Sequence, residues 1–154
     1  MVQAVPNRAA SEVLVCKNVV VAIHRHGPAA PAVEGQIAAL QKLAATGARG
    51  IGFLLILEQG AKTPDTETRR SVDKAFKDLG ERLKACAIVM LGEGFWASAV
   101  RSTLAILLVS SARGYETKIF ATPPDATLWL AGQLRGVENS ASLEDLSRAA
   151  KALR

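Results

Sequence analysis

Ile51–Leu57 reads IGFLLIL, seven residues without a charge, flanked by Gly50 and closed again by Gly60. It is too short for an ordinary buried helix, so it predicts a strand covered on both faces. Two further runs share this character: Val19–Ile23 (VVVAI) upstream and Cys86–Leu91 (CAIVML) downstream. Between the first two, Val33, Ile37, Leu40 and Ala44 follow Gly27-Pro28 and Pro31 at helical spacing, and Gly47 supplies a left-handed stop. Between the second and third, Val72, Phe76, Leu79 and Leu83 fall on one helical face after Thr63-Pro64, read as a hydroxyl N-cap followed by proline at the first helical position.

Outward from this centre, Glu12–Cys16 and Val19–His24 are separated only by Lys17-Asn18, the signature of an antiparallel hairpin. Downstream, a helix is expected over about 95–113, a short strand over 118–121, and a helix opened by Thr122-Pro123-Pro124-Asp125 that runs to about Leu134. Ser142 and Asp145 start a last helix with Leu143, Leu146, Ala150 and Leu153 on one face. Strands alternating with helices predict parallel pairing through right-handed crossovers. The expected fold is therefore α/β, with a mixed, mostly parallel sheet of about five strands, helices packed against it and an added C-terminal helix. The expected divisions are an N-terminal arm at 1–11, a domain at 12–134, and a linker and helix at 135–154.

With 154 residues, 49% apolar and 21% charged, the chain can bury a core without staples, and its composition excludes a disordered or collagen-like chain. Cys16 and Cys86 stand far apart with no metal-ligand spacing around them, so buried free thiols are expected. No signal peptide is evident in the first thirty residues, which implies a cytoplasmic protein. Arg101 and several hydroxyl residues interrupt the most apolar stretch, so no membrane span is expected. The net charge of +5 comes from scattered residues; Arg69-Arg70 share their helix with Asp65, Glu67, Asp73 and Asp78. Nucleic-acid binding needs a one-signed stripe and is not expected.

The element order, the strand GIGFLLILE and the closing TKIFATPPDATLWL resemble the STAS domain, the sulfate transporter and anti-sigma factor antagonist module, and the small STAS/SEC14-like bacterial domains. The resemblance covers about residues 12–134. It implies a non-enzymatic regulatory module that binds a protein partner, with a switch hydroxyl opening the helix after the central strand. That junction here is Glu58–Thr66, with Glu58, Thr63 and Thr66 as candidates, and it lacks the family's Asp-Ser-Ser-Gly type of motif. A Thr63 that simply caps the helix is the favoured reading. The SEC14-like relatives imply an alternative, a carrier of a small hydrophobic ligand or lipid.

Other candidates are weaker. His24 and His26 form an H-x-H pair whose side chains share a face in a regular strand, but no third histidine exists to complete a zinc set, so solvated or hydrogen-bonded histidines are favoured. Gly92-Glu93-Gly94-Phe95-Trp96 follows a buried strand, yet lacks the third glycine of a dinucleotide fingerprint; Glu93, Phe95 and Trp96 read as a turn with a contact patch. No nucleophile stands beside a base, so no enzyme and no cofactor are expected. Ile106, Leu108 and Val109 carry apolar character around the whole circumference of their expected helix, which favours a second neighbour and, by symmetry, a homodimer.

Overall fold

The computed structural model describes residues 8–93, 98 and 114–154. Five strands form one sheet in the order β1-β2-β3-β4-β5: β1 (Ser11–Cys16), β2 (Val19–Gly27), β3 (Ile51–Ala61), β4 (Leu83–Met90) and β5 (Glu116–Phe120). The opening pair is antiparallel, with Cys16 opposite Val19 across a two-residue turn, and every later pair is parallel. Four described helices complete the fold: α1 (Ala29–Ala45), α2 (Thr66–Leu79), α3 (Pro123–Gln133) and α4 (Leu143–Leu153). The expected α/β class with its mixed, mostly parallel sheet and C-terminal helix is what the chain adopts.

Both faces of the sheet are covered, and side-chain alternation explains how. Val20 and Ala22 of β2 and Phe53 of β3 turn towards α1 and α2, where Leu40, Ala44 and Leu79 meet them. Val19, Val21, Ile23, Leu54, Ile56, Ala87 and Val89 turn the other way, onto Ala126, Leu130 and Leu134 of the α3 segment and Leu146, Ala150 and Leu153 of α4. The uninterrupted apolar runs thus reflect burial on two sides. The C-terminal helix belongs to this second core, with Leu146 fully buried, although Leu143 points outward and is 43% exposed.

Several element boundaries differ from the sequence reading. Helix α1 begins at Ala29, before Pro31, because proline fits a first turn whose amides lack intrahelical acceptors. Its buried stripe is Ala29, Ala32, Gln36, Leu40 and Ala44, which leaves Val33 and Ile37 half-buried at the margin. Strand β3 does not stop at Leu57 but continues to Ala61, alongside the end of β2. At Thr122 the cap forms, yet the reciprocal capping box occurs only between Ser142 and Asp145.

Two polar side chains that the sequence reading passed over tie the layers together. Asn18, buried in the hairpin turn, donates from Nδ2 to the carbonyl of Gly50 at 2.7 Å and accepts at Oδ1 from the amide of Ala141 at 2.9 Å. Arg25, also buried, donates to the carbonyl of Ala9 at 2.7 Å, to Glu12 at 2.6 Å and to the carbonyl of Leu153 at 2.6 Å. Arg8 reaches the carbonyls of Leu153 and Arg154 as well. The described part of the expected arm, residues 8–10, is therefore fastened to the end of α4.

Candidate functional site

Parallel α/β sheets commonly present ligands or partners at the carboxyl ends of their strands, and here that edge is uneven. β4 pairs with β3 only as far as Met90 opposite Leu57, followed by one further bond from the Leu91 amide to the Leu57 carbonyl at 2.8 Å. Beyond it, β3 continues beside β2, pairing Gly60 with His26 and Ala61 with Gly27. Among the described residues this makes a two-stranded ribbon that extends past the last β3–β4 pair. It carries half-buried Glu58 and exposed Gln59, Gly60 and His26.

Gly60 permits this extension. A Cβ there would lie 2.9 Å from the carbonyl oxygen of Arg25 and 3.2 Å from the Cβ of His26, closer than the neighbouring strand allows. The register between β2 and β3 also shifts here, because His24 faces Leu57 whereas His26 faces Gly60. Three residues of β3 pass while β2 advances two, so a bulge sits in β3 near Glu58 and Gln59. Glu58 and its neighbours, expected in a loop, are thus strand residues; only 62–65 form the connection to α2.

Helix α2 starts two residues later than expected. Its N-cap is Asp65, whose carboxylate accepts from the Thr68 amide at 2.8 Å, and not Thr63. Pro64 biases Thr63 towards extended backbone, which leaves the first residue free to cap at Asp65. Hydrogen bonds from the Thr68 hydroxyl and amide hold the Asp65 carboxyl below its ordinary range. Thr63 and Thr66 are both exposed. Thr63 lies outside α2, two residues before the carboxylate that holds the cap position.

The H-x-H pair does not act as a pair. His24 is 3% exposed, and its Nε2 lies 3.1 Å from the carbonyl of Gly27 and 3.2 Å from that of His26, so it donates a proton to the backbone. His26 is exposed beyond the register shift. Burial pushes the His24 pKa down, against the opposing effect of the two carbonyls. Among the described residues no group of three histidine, cysteine or carboxylate side chains is placed to hold a metal ion. Cys86 is fully buried and burial pushes its thiol far up, while Cys16 is half-buried with its thiol also raised by burial.

Glu93 is exposed and follows Gly92, whose φ of 133° favours glycine at the turn out of β4. Phe95, Trp96, Ile106, Leu108 and Val109 lie outside the described residues. The edge therefore brings Glu58, His26, Thr63, Thr66 and Glu93 to one end of the sheet as separate surface groups. No helix among the described residues is long and apolar enough to cross a membrane. Comparison with protein-family models returns no match, and comparisons with curated proteins and with solved structures return no significant match.

Proposed function

We propose that this chain is a non-enzymatic, STAS-like interaction module of the cytoplasm, which binds a protein partner through the carboxyl edge of its sheet and acts as a homodimer. The observation that carries this reading is the β2–β3 ribbon. It displays Glu58 and Gln59 at a bulge between the His24–Leu57 and His26–Gly60 pairs, with exposed His26 beside them and Thr63 and Thr66 exposed where the chain enters α2. Outward-facing polar groups suit recognition of another surface, whereas a substrate site usually converges its groups in a concavity. Strands that advance in one direction across the sheet, after an antiparallel first strand, support the STAS-like part of the reading. In the homodimer, Ile106, Leu108 and Val109 form the contact, and Phe95, Trp96 and Glu93 extend the partner surface.

The test is a cross-linking capture from the source cell with the wild-type chain, Glu58→Lys and Trp96→Ala, with melting temperatures measured in parallel. A partner retained by the wild type and lost from variants of unchanged stability supports the reading. Equal capture by all three rejects it.

An apolar set on the α1–α2 side, Leu57, Ile88, Met90 and Ile119, stands apart from both main cores at the same end of the sheet. It is where a carrier of hydrophobic ligands would hold its cargo. Native mass spectrometry of the purified chain, with a co-purifying lipid-sized adduct, would favour that alternative.

A further inference from the structure

Hydrogen-bond direction alternates along an antiparallel strand, and one contact sets the phase for β1. The amide of Arg25 donates to the carbonyl of Ala10 at 2.7 Å, one step beyond the Ser11–His24 pair. Ala10 and Arg25 are thus a hydrogen-bonded pair, so Glu12, Leu14 and Cys16 direct their amides and carbonyls inward to β2. Ser11, Val13 and Val15 direct theirs outward. A second bond agrees: the carbonyl of Asn18 accepts from the Gly52 amide at 3.0 Å, so Asn18 faces β3 and the next residue, Val19, faces Cys16.

β1 is the outermost strand, and among the described residues it pairs with β2 alone. Edge strands are normally guarded by charge, proline, bulges or short length. β5, at the other edge, is five residues long and exposes Glu116 and Lys118. Among the described residues β1 has neither proline nor bulge: its register with β2 is unbroken over six residues, and its outward positions hold Val13 and Val15, the latter 52% exposed. The charges beside it are engaged, Glu12 by Arg25 at 2.6 Å and Lys17 by Asp145 at 3.0 Å.

We propose that β1 is a homotypic pairing edge, to which a second copy of this chain adds its own β1 antiparallel about a two-fold axis at Leu14, making one sheet continuous through both copies. Residues directly opposite one another must share a face, and centring on Leu14 gives the longest overlap of Ser11–Lys17 with itself. Val13 then exchanges both backbone hydrogen bonds with Val15 of the second copy, and Val15 with its Val13. Glu12 comes opposite Cys16 and Ser11 opposite Lys17, so no like charges meet. Both layers continue across the junction, because Val13 already packs on the α1 side and Leu14 and Cys16 on the α4 side. A pairing of six residues buries less than the roughly 800 Å² per partner of a stable interface, so the dimer is concentration-dependent, with a dissociation constant on the order of micromolar. Pairing at β1 does not depend on Ile106, Leu108 or Val109.

The test combines sedimentation of the full chain across concentration with residue-resolved amide exchange. The expected result is protection of the Val13 and Val15 amides that rises with concentration, while the Leu14 and Cys16 amides exchange at a constant slow rate. Val15→Lys, at a half-exposed position, should raise the dissociation constant of the β1 pairing more than tenfold with an unchanged melting temperature at dilute concentration, and Ile106→Lys should leave the concentration-dependent protection of the Val13 and Val15 amides unaltered. A chain monomeric at all concentrations, a Val15→Lys variant that dimerises like wild type, or Val13 and Val15 amides insensitive to concentration would each overturn the proposal. Loss of dimerisation in Ile106→Lys alone would place the contact on the other surface, and strand pairing only with a different protein would replace the second copy as occupant.

Discussion

The guanidinium of Arg25, in the second strand, donates to the carbonyl of Leu153 at 2.6 Å, joining residues 128 positions apart in the buried interior. Leu153 is the last residue of α4, so the positive charge meets the carbonyl end of the helix, where its dipole is negative. The same fork holds Ala9 and Glu12. One side chain thus fastens both the segment leading into β1 and the end of α4 to the sheet.

Arg25→Ala should cost about 2–4 kcal/mol, because it leaves buried carbonyls without donors and opens a cavity. Arg25→Lys should recover only part of this, since an ammonium cannot span three acceptors with fork geometry. Denaturant unfolding of the three proteins checks both. Enhanced exchange of the amides at the α4 C-terminus in Arg25→Ala would confirm that the loss is local to the clasp.

Gly60→Ala and Gly132→Ala should move stability in opposite directions. At Gly60 the new methyl meets the Arg25 carbonyl at 2.9 Å, a backbone atom that cannot swing aside, and a loss of roughly 1–3 kcal/mol is expected. At Gly132, in α3, nothing lies within 4 Å, and the gain should be about 0.4–1 kcal/mol through reduced freedom of the unfolded chain. Thermal unfolding of the two variants is the measurement.

Asp65→Ala should lower the melting temperature, and Thr63→Ala should leave it within error, because the carboxylate and not the hydroxyl caps α2. The pKa of Asp65 is depressed in the folded state, so its contribution is fully present above the unfolded carboxylate value and is lost as pH falls through the folded one. The difference between wild type and Asp65→Ala should therefore shrink on acidification. A Thr63→Ala loss equal to that of Asp65→Ala would reverse the assignment.

Stability should also fall as pH drops below about 6.5, the ordinary histidine value. Burial depresses the His24 pKa in the fold, so the unfolded chain takes up a proton before the native one does, and stability is lost from the unfolded value down through the folded value. Melting temperatures from pH 7.5 to pH 5 should show this decline, and a His24→Asn variant should flatten it. A decline of the same size in the variant would assign the effect to other groups.

Legibility in the sequence followed chemical type. The apolar runs at 19–23, 51–57 and 86–91 announced strands buried on both faces because only double coverage tolerates such continuity. The hairpin was legible in its two-residue spacer, and α4 in the Ser142–Asp145 capping pattern. The candidate site is less legible. Gly60 has the local character of a terminator, which places Glu58 in a loop, whereas the adjacent end of β2 offers hydrogen bonds that only a side-chain-free residue can approach. A hydroxyl before proline fits the local pattern of a cap at Thr63, whereas the Asp65 carboxylate two residues later holds that position.

The sequence by itself determined the layers of this protein: local periodicity and turn chemistry act between near neighbours, and they specify which segments become strands, which become helices and which faces are apolar. What Asn18 and Arg25 do is fixed by contacts between distant parts of the chain. Each is a polar residue in or beside an apolar run, and nothing nearby in sequence predicts its partners across the layers. Their roles follow from distant backbone groups, Ala141 for Asn18 and Leu153 for Arg25, that need a donor or acceptor once burial has taken water away.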